Sequence, residues 1–294
     1  MYVSHAAKFL NRSFSSETPR PLRVRIIFIL KNKGAFVPFH HQYLLAQLIK
    51  GIIIKGGDEK YRDALHYNFS GLKGQTKISR NGLHFFSNRV TLVFSCLNKS
   101  FLDYFINELF KISNLEVGNL VLIPESVEIE EKPDFKEEMK YICISPIVLI
   151  KPSFNDSESK RFITPQSDEF SDILFESTIM RIQGLGKYTD DQLAGFSKFQ
   201  LVADEGYLRK IHETQKKFAR IYPVYDQDVK YEIRGYTFPF TLYAAVEVQE
   251  FVFTEGLGAF THKGFGMLDI ANSDPSQRTT PYLKAQKPVD KDIT

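Results

Sequence analysis

The chain is poor in the residues that build disulfide frameworks and metal clusters. It has only two cysteines, Cys96 and Cys143, and both lie inside apolar runs that are typical of strands. Two cysteines cannot frame a zinc site without histidine ligands, and isolated core thiols are typical of a reducing compartment. The sequence also has neither an H-E-x-x-H motif nor a paired acidic cluster with ligand spacing. We therefore expect no metal and no other cofactor.

Long hydrophobic runs are missing as well. No apolar run approaches the about 18 residues that a membrane-spanning helix needs. Residues 1–20 contain serines and arginines but lack the apolar core of a secretory signal. The hydrophobic fraction of 43% and the 26 phenylalanines, in the absence of tryptophan, are sufficient for packed cores. We expect a soluble, cytoplasmic protein with no membrane partner.

The length of 294 residues and the order of the predicted elements indicate two domains. Leu22–Leu30 is a strand whose polar residues alternate at one end, and Ser100–Ile112 is an amphipathic helix. With the elements between and after them, the first half follows the order β-α-β-β-α-β, with a short extra helix. The acidic stretch Glu125–Lys140 is an edge or a linker, and the pattern restarts with the strand Tyr141–Ile150.

The second half repeats this order less clearly. Ser167 can cap a helix that continues to about Gln183, and Thr189–Glu205 is predicted as a helical or irregular insertion. Phe218–Tyr225 and Val229–Phe240 are predicted strands, and Leu242–Thr254 is favoured as a helix. The fold class is therefore α+β, with two tandem ferredoxin-like (RRM-like, βαββαβ) domains and a C-terminal glycine-rich loop. The predicted regions are a flexible extension (1–21), an N-terminal domain (22–138), a C-terminal domain (139–272) and a polar tail (273–294).

The loop Glu255–Ile270 contains four glycines, Gly256, Gly258, Gly264 and Gly266, around a short basic insert. Glycine permits positive φ and close backbone approach, and successive bare N–H groups can form a concavity for an anion such as phosphate. The spacing matches neither the dinucleotide-binding fingerprint nor a Walker loop. An ordinary glycine-rich turn between a helix and a strand remains the alternative.

Three segments resemble a known family. PFHHQYLLAQLI, CISPIVLI and GLGAFTHKGFGML, in this order, look like the CRISPR-associated repeat-processing endoribonucleases, the Cas six family of the RAMP superfamily. The resemblance spans about Leu22 to Ile270. It implies binding of CRISPR repeat RNA and metal-independent cleavage of precursor crRNA, as part of antiviral defence. In that reaction a ribose 2′-hydroxyl attacks the adjacent phosphate and leaves a 2′,3′-cyclic phosphate and a 5′-hydroxyl.

Such chemistry needs a group that transfers protons near neutral pH, which suits histidine. Among the seven histidines, the resemblance implies His66, which follows the first long helix and lies off the stripe of Tyr61 and Leu65. His41 opens that helix, and a neutral capping or packing role fits it better. His262, in the glycine-rich loop, is a candidate for RNA contact.

Lysine suits the charge that develops on the phosphorane. In the family the catalytic lysine follows the histidine at the start of the next strand, which implies Lys77 first and Lys73 second. Lys50 stands in QLIKGII, where members with a His/Tyr/Lys site often have tyrosine. Three interpretations stay open: the tyrosine is dispensable, Lys50 supplies the positive charge, or catalysis is weak.

The basic residues are segregated along the chain. Residues 50–90 contain eight basic residues against three acidic ones, whereas residues 125–138 are acidic. Such segregation is expected where a protein contacts phosphates, although a solvated face gives the same pattern. The predicted RNA-binding residues are Lys73, Arg80, Lys216, Lys217, Arg234, Gly256, Gly258, Lys263, Gly264, Phe265 and Gly266.

Two other functions use the same sequence features. One is a non-cleaving crRNA-binding subunit of a CRISPR effector complex, which the missing tyrosine favours. The other is a generic tandem RRM-like binder, which is weakened because the chain lacks the aromatic RNP pattern. The sequence leaves open monomer or homodimer and any association with effector complex subunits.

Overall fold

The first half of the chain forms one large sheet, a small sheet and two helices. The structure is a computed structural model that describes residues 22–150, 163–214, 219–226 and 229–284. The strands of the first half are β1 (Leu22–Leu30), β2 (Phe36–Val37), β3 (Tyr67–Phe69), β4 (Thr76–Ser79), β5 (Gly82–Phe85), β6 (Arg89–Cys96), β7 (Leu115–Val117) and β8 (Leu120–Glu130). The helices are α1 (Gln42–Lys55) and α2 (Lys99–Phe110).

The alternation in β1 decides how this half packs. Val24, Ile26, Phe28 and Leu30 are buried and face the core that α1 and α2 cover. Residues i and i+2 of a strand share a face, so the arginines of β1 point to the opposite side. The sheet runs in the order β16-β8-β1-β6-β3, where β16 (Thr279–Lys284) comes from the end of the chain, and β1 pairs antiparallel with both β6 and β8. One face of this sheet is therefore free to meet the second half of the chain.

The second half contains two further sheets. Its strands are β9 (Glu138–Cys143), β10 (Ile147–Val148), β11 (Phe199–Ala203), β12 (Ala219–Asp226), β13 (Val229–Tyr236), β14 (Pro239–Ala244), β15 (Leu268–Ile270) and β16 (Thr279–Lys284). Its α-helices are α3 (Asp168–Gly184), α4 (Asp190–Gly195), α5 (Glu205–Glu213) and α6 (Val246–Glu255). Four strands form a sheet in the order β11-β14-β9-β15, whereas β10, β13 and β12 form a separate one. The predicted mixed α and β class, with antiparallel sheets, is confirmed.

Several strands lie where the sequence predicts none, and β11 and β16 are two of them. β11 falls inside the segment predicted as a helical or irregular insertion. It is short, only Leu201 and Ala203 are buried, and it pairs with β14 across a gap of about 40 residues. β16 lies in the predicted polar tail and pairs with β8. Both are edge strands held by partners distant in sequence, so their local pattern carries little signal.

Buried polar contacts join the two halves on the open face of the large sheet. Arg23 is 4% exposed and donates to the carbonyls of Phe253 (3.2 Å) and Leu268 (2.8 Å). Its Nε also lies 3.0 Å from Glu130 Oε2. The Ser95 hydroxyl donates to the carbonyl of Thr254 at 2.5 Å. These contacts place the end of α6 and the glycine-rich loop against β3 and β6.

Candidate functional site

His66 lies where the two halves meet. It directly precedes β3, whose first residue, Tyr67, pairs with Cys96 at the end of β6. The Nδ1 atom of His66 lies 3.3 Å from Oε2 of Glu255, the last residue of α6. The side chain of His66 is 33% exposed, whereas that of Glu255 is 1% exposed. The imidazole therefore sits with one edge against a buried carboxylate and with part of its surface in solvent.

Arg181, on α3, holds the end of α6 in place. Its guanidinium donates to the carbonyl oxygens of Glu255 (2.7 Å), Gly256 (2.8 Å) and Gly258 (3.3 Å). The same group lies 3.9 Å from Oε2 of Glu255. Burial lowers the pKa of Arg181, while the charge of Glu255 opposes that shift. The arginine thus fixes the backbone from Glu255 to Gly258, next to the carboxylate that His66 contacts.

The sequence did not single out Glu255 or Arg181. Glu255 stands directly before G-L-G, which is a positional signal for a residue held by the glycine-rich loop. Arg181 is one basic residue on an ordinary amphipathic helix, and nothing in the local pattern distinguishes it. Because it lies 74 residues before Glu255, only the tertiary structure reveals the contact.

The four glycines are required by close packing. Gly256, Gly258, Gly264 and Gly266 all have positive φ. An added Cβ would lie 2.4 Å from the Phe69 ring at Gly264 and 1.9 Å from a backbone oxygen at Gly266. A side chain at either position would displace backbone or core aromatic atoms, so the loop depends on glycine for its fold.

The packing does not agree with the expectation that the N–H groups of this loop are free to bind a phosphate. The N–H groups of Gly256, Gly264 and Gly266 donate to the carbonyls of Val252, Thr261 and Pro146 at 2.7–2.9 Å. Because these donors are already used, they are not available to bind a phosphate. All four glycines are also buried, so the interpretation of the loop as a row of bare N–H groups is wrong for these three positions.

Two other predicted contacts in the loop have different outcomes. Phe265 is 1% exposed and packs edge-on against Tyr222, with ring centroids 5.6 Å apart. The ring of Phe265 therefore has no exposed face on which a base could stack. Lys263 is half-buried, and its Nζ donates to the carbonyl of Tyr225 at 3.0 Å. It lies at the surface between the loop and the β12–β13 hairpin.

The predicted catalytic lysines lie at different distances from His66. Tyr67 pairs with Cys96 and Lys73 with Thr91, so five residues of β6, roughly 17 Å, separate Lys73 from the His66 end. Lys77 belongs to the sheet of β2, β5 and β4, which is joined to the opposite end of β6. The structure therefore does not bring Lys77 or Lys73 to His66.

Lys50 lies closer to the predicted histidine. Its Nζ donates to the backbone carbonyl of Arg62, four residues before His66. Lys73, by contrast, is half-buried, and burial lowers its pKa to about 8, although the charge of Asp269 opposes that shift. Of the three predicted lysines, Lys50 is thus the one that the chain path places near His66.

Two further histidines have structural contacts. His41 is 4% exposed; its Nδ1 contacts the Pro38 carbonyl at 3.1 Å, and its Nε2 accepts from the Leu72 N–H at 3.2 Å. Burial lowers the pKa of His41 to about 4. His84 contacts the Gly34 carbonyl at 2.7 Å and the Ser79 hydroxyl at 2.8 Å. The neutral packing role predicted for His41 agrees with this geometry.

The remaining predicted RNA-binding residues lie away from the junction. Arg80 is exposed at the turn between β4 and β5, and Arg234 is exposed on β13. Lys216 and Lys217 lie outside the described residues. Within the part of the chain that the structure describes, no three His, Cys, Asp or Glu residues are grouped so that they could hold a metal ion. In the same residues, no helix has both the length and the apolarity to cross a lipid bilayer.

Comparisons with known proteins agree with this architecture. Residues 129–270 match the family described as CRISPR associated protein Cas6, C-terminal. The CRISPR-associated endoribonuclease-like protein Cas6 of Pyrococcus furiosus is 21% identical over 262 residues, which cover 85% of this chain and 98% of that protein.

Solved structures of Cas6-related proteins share the fold. The product of a Cas6-related gene from Pyrococcus furiosus superimposes with a TM-score of 0.69 at 19% identity, over 87% of this chain and all of the other. A RAMP protein that binds different RNA substrates has the same TM-score at 18% identity, over 85% of this chain and all of the other. A Cas6 product complex has a TM-score of 0.54 at 16% identity, over 85% of this chain and 99% of the other.

The fold and the junction site define a protein of antiparallel sheets and packed helices with a glycine-rich segment before its last core strand. Within this class, the match of residues 129–270 to the Cas6 C-terminal family and the similarity to Cas6 relatives support a Cas6-family CRISPR-associated protein. The family expected from the three sequence segments is confirmed.

Proposed function

We propose that this protein binds CRISPR repeat RNA and cleaves precursor crRNA as a metal-independent endoribonuclease. The observation that carries the proposal is the position of His66, which meets the start of the glycine-rich loop at the junction of both halves. The relatives support the substrate class, because solved Cas6 structures include product complexes. The active group and its surroundings come from elements of both halves.

The reaction follows from the chemistry of the groups at the junction. His66 takes the proton from a ribose 2′-hydroxyl, and the 2′ oxygen attacks the adjacent phosphorus. The bond from phosphorus to the 5′ oxygen breaks, and that oxygen takes a proton from water and leaves as a 5′-hydroxyl, while protonated His66 returns its proton to solvent. The other product ends in a 2′,3′-cyclic phosphate. Lys50 supplies positive charge for the phosphorane once RNA displaces its contact with the Arg62 carbonyl.

The proposal extends to the fold of each half. In both halves the order along the chain is β-α-β-β-α-β, once the inserted hairpins are set aside. The sheet orders β8-β1-β6-β3 and β15-β9-β14-β11 place the four strands in the same relative positions. This agreement supports two ferredoxin-like domains in tandem, with the RNA path running along their junction.

RNA contacts are proposed at exposed cations outside the junction. Arg80, Arg234 and Lys263 lie at or near the surface, on β4–β5, on β13 and in the glycine-rich loop. Such side chains hold the phosphate backbone and fix the register of the RNA, whereas single-stranded bases carry the sequence information. Lys216 and Lys217, which precede β12, are proposed for the same role from the sequence.

A non-cleaving crRNA-binding protein is the second candidate. It is favoured by the distance of Lys73 and Lys77 from His66 and by the engagement of Lys50 with a backbone carbonyl. The description of one structural relative as a RAMP protein that binds different RNA substrates points in the same direction. Both candidates share RNA binding and differ only in the chemical step.

The test uses labelled repeat RNA from the neighbouring CRISPR array in excess EDTA, followed by end-group analysis. We expect cleavage at one position with a cyclic phosphate end, lost in His66→Ala and retained in His212→Ala, an exposed histidine of α5. RNA affinity should stay unchanged in both variants. Tight binding without cleavage by the wild-type protein would establish the binding-only function instead.

A further inference from the structure

We propose that Glu255 is a positioning residue whose buried carboxylate fixes the tautomer and the orientation of the His66 ring. This inference rests on the proposed function of His66. It assigns a role to a residue of the second half in a step carried out by a residue of the first half. Glu255 itself touches neither substrate nor reacting atoms.

The hydrogen bond decides the tautomer. An ionised carboxylate has acceptor oxygens only, so the 3.3 Å contact with Glu255 Oε2 requires the proton on Nδ1 of His66. In the neutral ring the lone pair then lies on Nε2, which is the nitrogen that must accept a proton from a 2′-hydroxyl. A base with the opposite tautomer would present an N–H to the substrate and could not act.

The location of Glu255 argues against a purely structural carboxylate. It is the last residue of α6, where the helix dipole is negative and a carboxylate is unfavourable, and the last turn has no basic residue. The side chain is also 1% exposed, and its Oε1 has no hydrogen-bond partner among the described residues. Burying such a group costs stability, which a role at His66 would explain.

Arg181 holds the helix end beside the carboxylate. Its guanidinium lies 3.9 Å from Oε2. Its hydrogen bonds go to the backbone carbonyls of Glu255, Gly256 and Gly258, so the arginine holds the helix end without taking the carboxylate away from His66. When His66 accepts a proton, the imidazolium gains a buried anion at hydrogen-bonding distance.

The main variant is Glu255→Gln, which keeps the volume and removes the charge. An amide can donate to Nδ1 and so move the proton to Nε2. The equivalent change in a serine protease triad lowers kcat by about 10⁴-fold through the wrong tautomer. We expect single-turnover cleavage at saturating RNA to fall by about 10²- to 10⁴-fold, while the RNA Kd changes less than about 3-fold. Glu247→Gln, an exposed glutamate of the same helix, is the matched control.

The second readout needs no catalysis. In protein labelled with ¹⁵N-histidine, the resonances of His66 are assigned by their loss in His66→Ala. We expect the Nδ1–H tautomer in the wild-type protein and in Glu247→Gln, and a shift toward Nε2–H in Glu255→Gln. If Glu255→Gln does not fold, Glu255→Asp, which keeps the charge on a shorter side chain, replaces it. It should retain the Nδ1–H tautomer and cleave faster than any uncharged variant that folds.

The outcomes separate this inference from the proposed function. Cleavage by Glu255→Gln within 3-fold of wild type, or the same tautomer in both proteins, would overturn the role of Glu255. A wild-type protein that binds RNA without cleaving it would refute the ribonuclease proposal. In that case the nitrogen spectra would still decide whether Glu255 sets the tautomer of His66.

Discussion

His41 should make the stability of this protein depend steeply on pH. Its ring is 4% exposed and bridges two backbone groups, the carbonyl of Pro38 and the N–H of Leu72. The second contact requires a lone pair on Nε2, so the folded protein needs the neutral ring. A proton on Nε2 would set two donors against each other in a buried site. Burial accordingly lowers the pKa of His41 to about 4.

The magnitude follows from proton linkage. In the unfolded chain His41 takes up a proton below its ordinary pKa of 6.5, whereas the folded protein does not until about pH 4. The contribution of His41 is therefore complete above pH 6.5 and declines as the pH falls from 6.5 to 4. The slope is about 1.4 kcal/mol per pH unit, and the total loss is about 3 kcal/mol.

The assay is urea unfolding at a series of pH values, followed by circular dichroism because the chain has no tryptophan. We take the difference in the free energy of unfolding between wild type and His41→Gln. The contributions of the other titrating groups are the same in both proteins and drop out of this difference. That difference should shrink by about 3 kcal/mol between pH 7 and pH 4. His212→Gln, at an exposed histidine, is the control. The argument from burial would be refuted if the free energies of unfolding of His41→Gln and His212→Gln depended on pH in the same way. It would also be refuted if the difference between wild type and His41→Gln did not change with pH.

Two further predictions concern the loop and the lysines. Gly266→Ala should lower the free energy of unfolding by more than about 2 kcal/mol, because φ is positive and the new Cβ would lie 1.9 Å from the Leu257 carbonyl oxygen. Gly195→Ala, where a Cβ meets nothing within 4 Å, should change it by less than about 1 kcal/mol, and equal urea midpoints would contradict the packing argument. In single-turnover cleavage, Lys50→Ala should slow the reaction more than Lys77→Ala, because Lys50 lies nearer to His66. A larger effect of Lys77→Ala would instead indicate that Lys77 is the catalytic lysine.

The local patterns of the sequence predict most of the first half. Alternation in β1, the apolar stripe of α1 and the amphipathic pattern of α2 are local properties, and each of these three elements forms where they indicate. A strand or helix pattern records which face is buried. It does not record which distant element covers that face, so β11 and β16, at sheet edges, were missed.

The candidate site also contains residues that the sequence marks and contacts that only the tertiary structure reveals. A short motif or its context marks His66 and the four glycines. Two contacts depend on tertiary packing. His66 contacts Glu255, 189 residues later, and Arg181 donates to the backbone at the same helix end. The sequence by itself therefore predicted the main elements of the first half, the family and a candidate histidine. Only the tertiary structure decided that Phe265 is core, that Lys77 lies away from His66, and that a buried carboxylate stands behind the ring, because these facts arise from contacts between residues far apart in the chain.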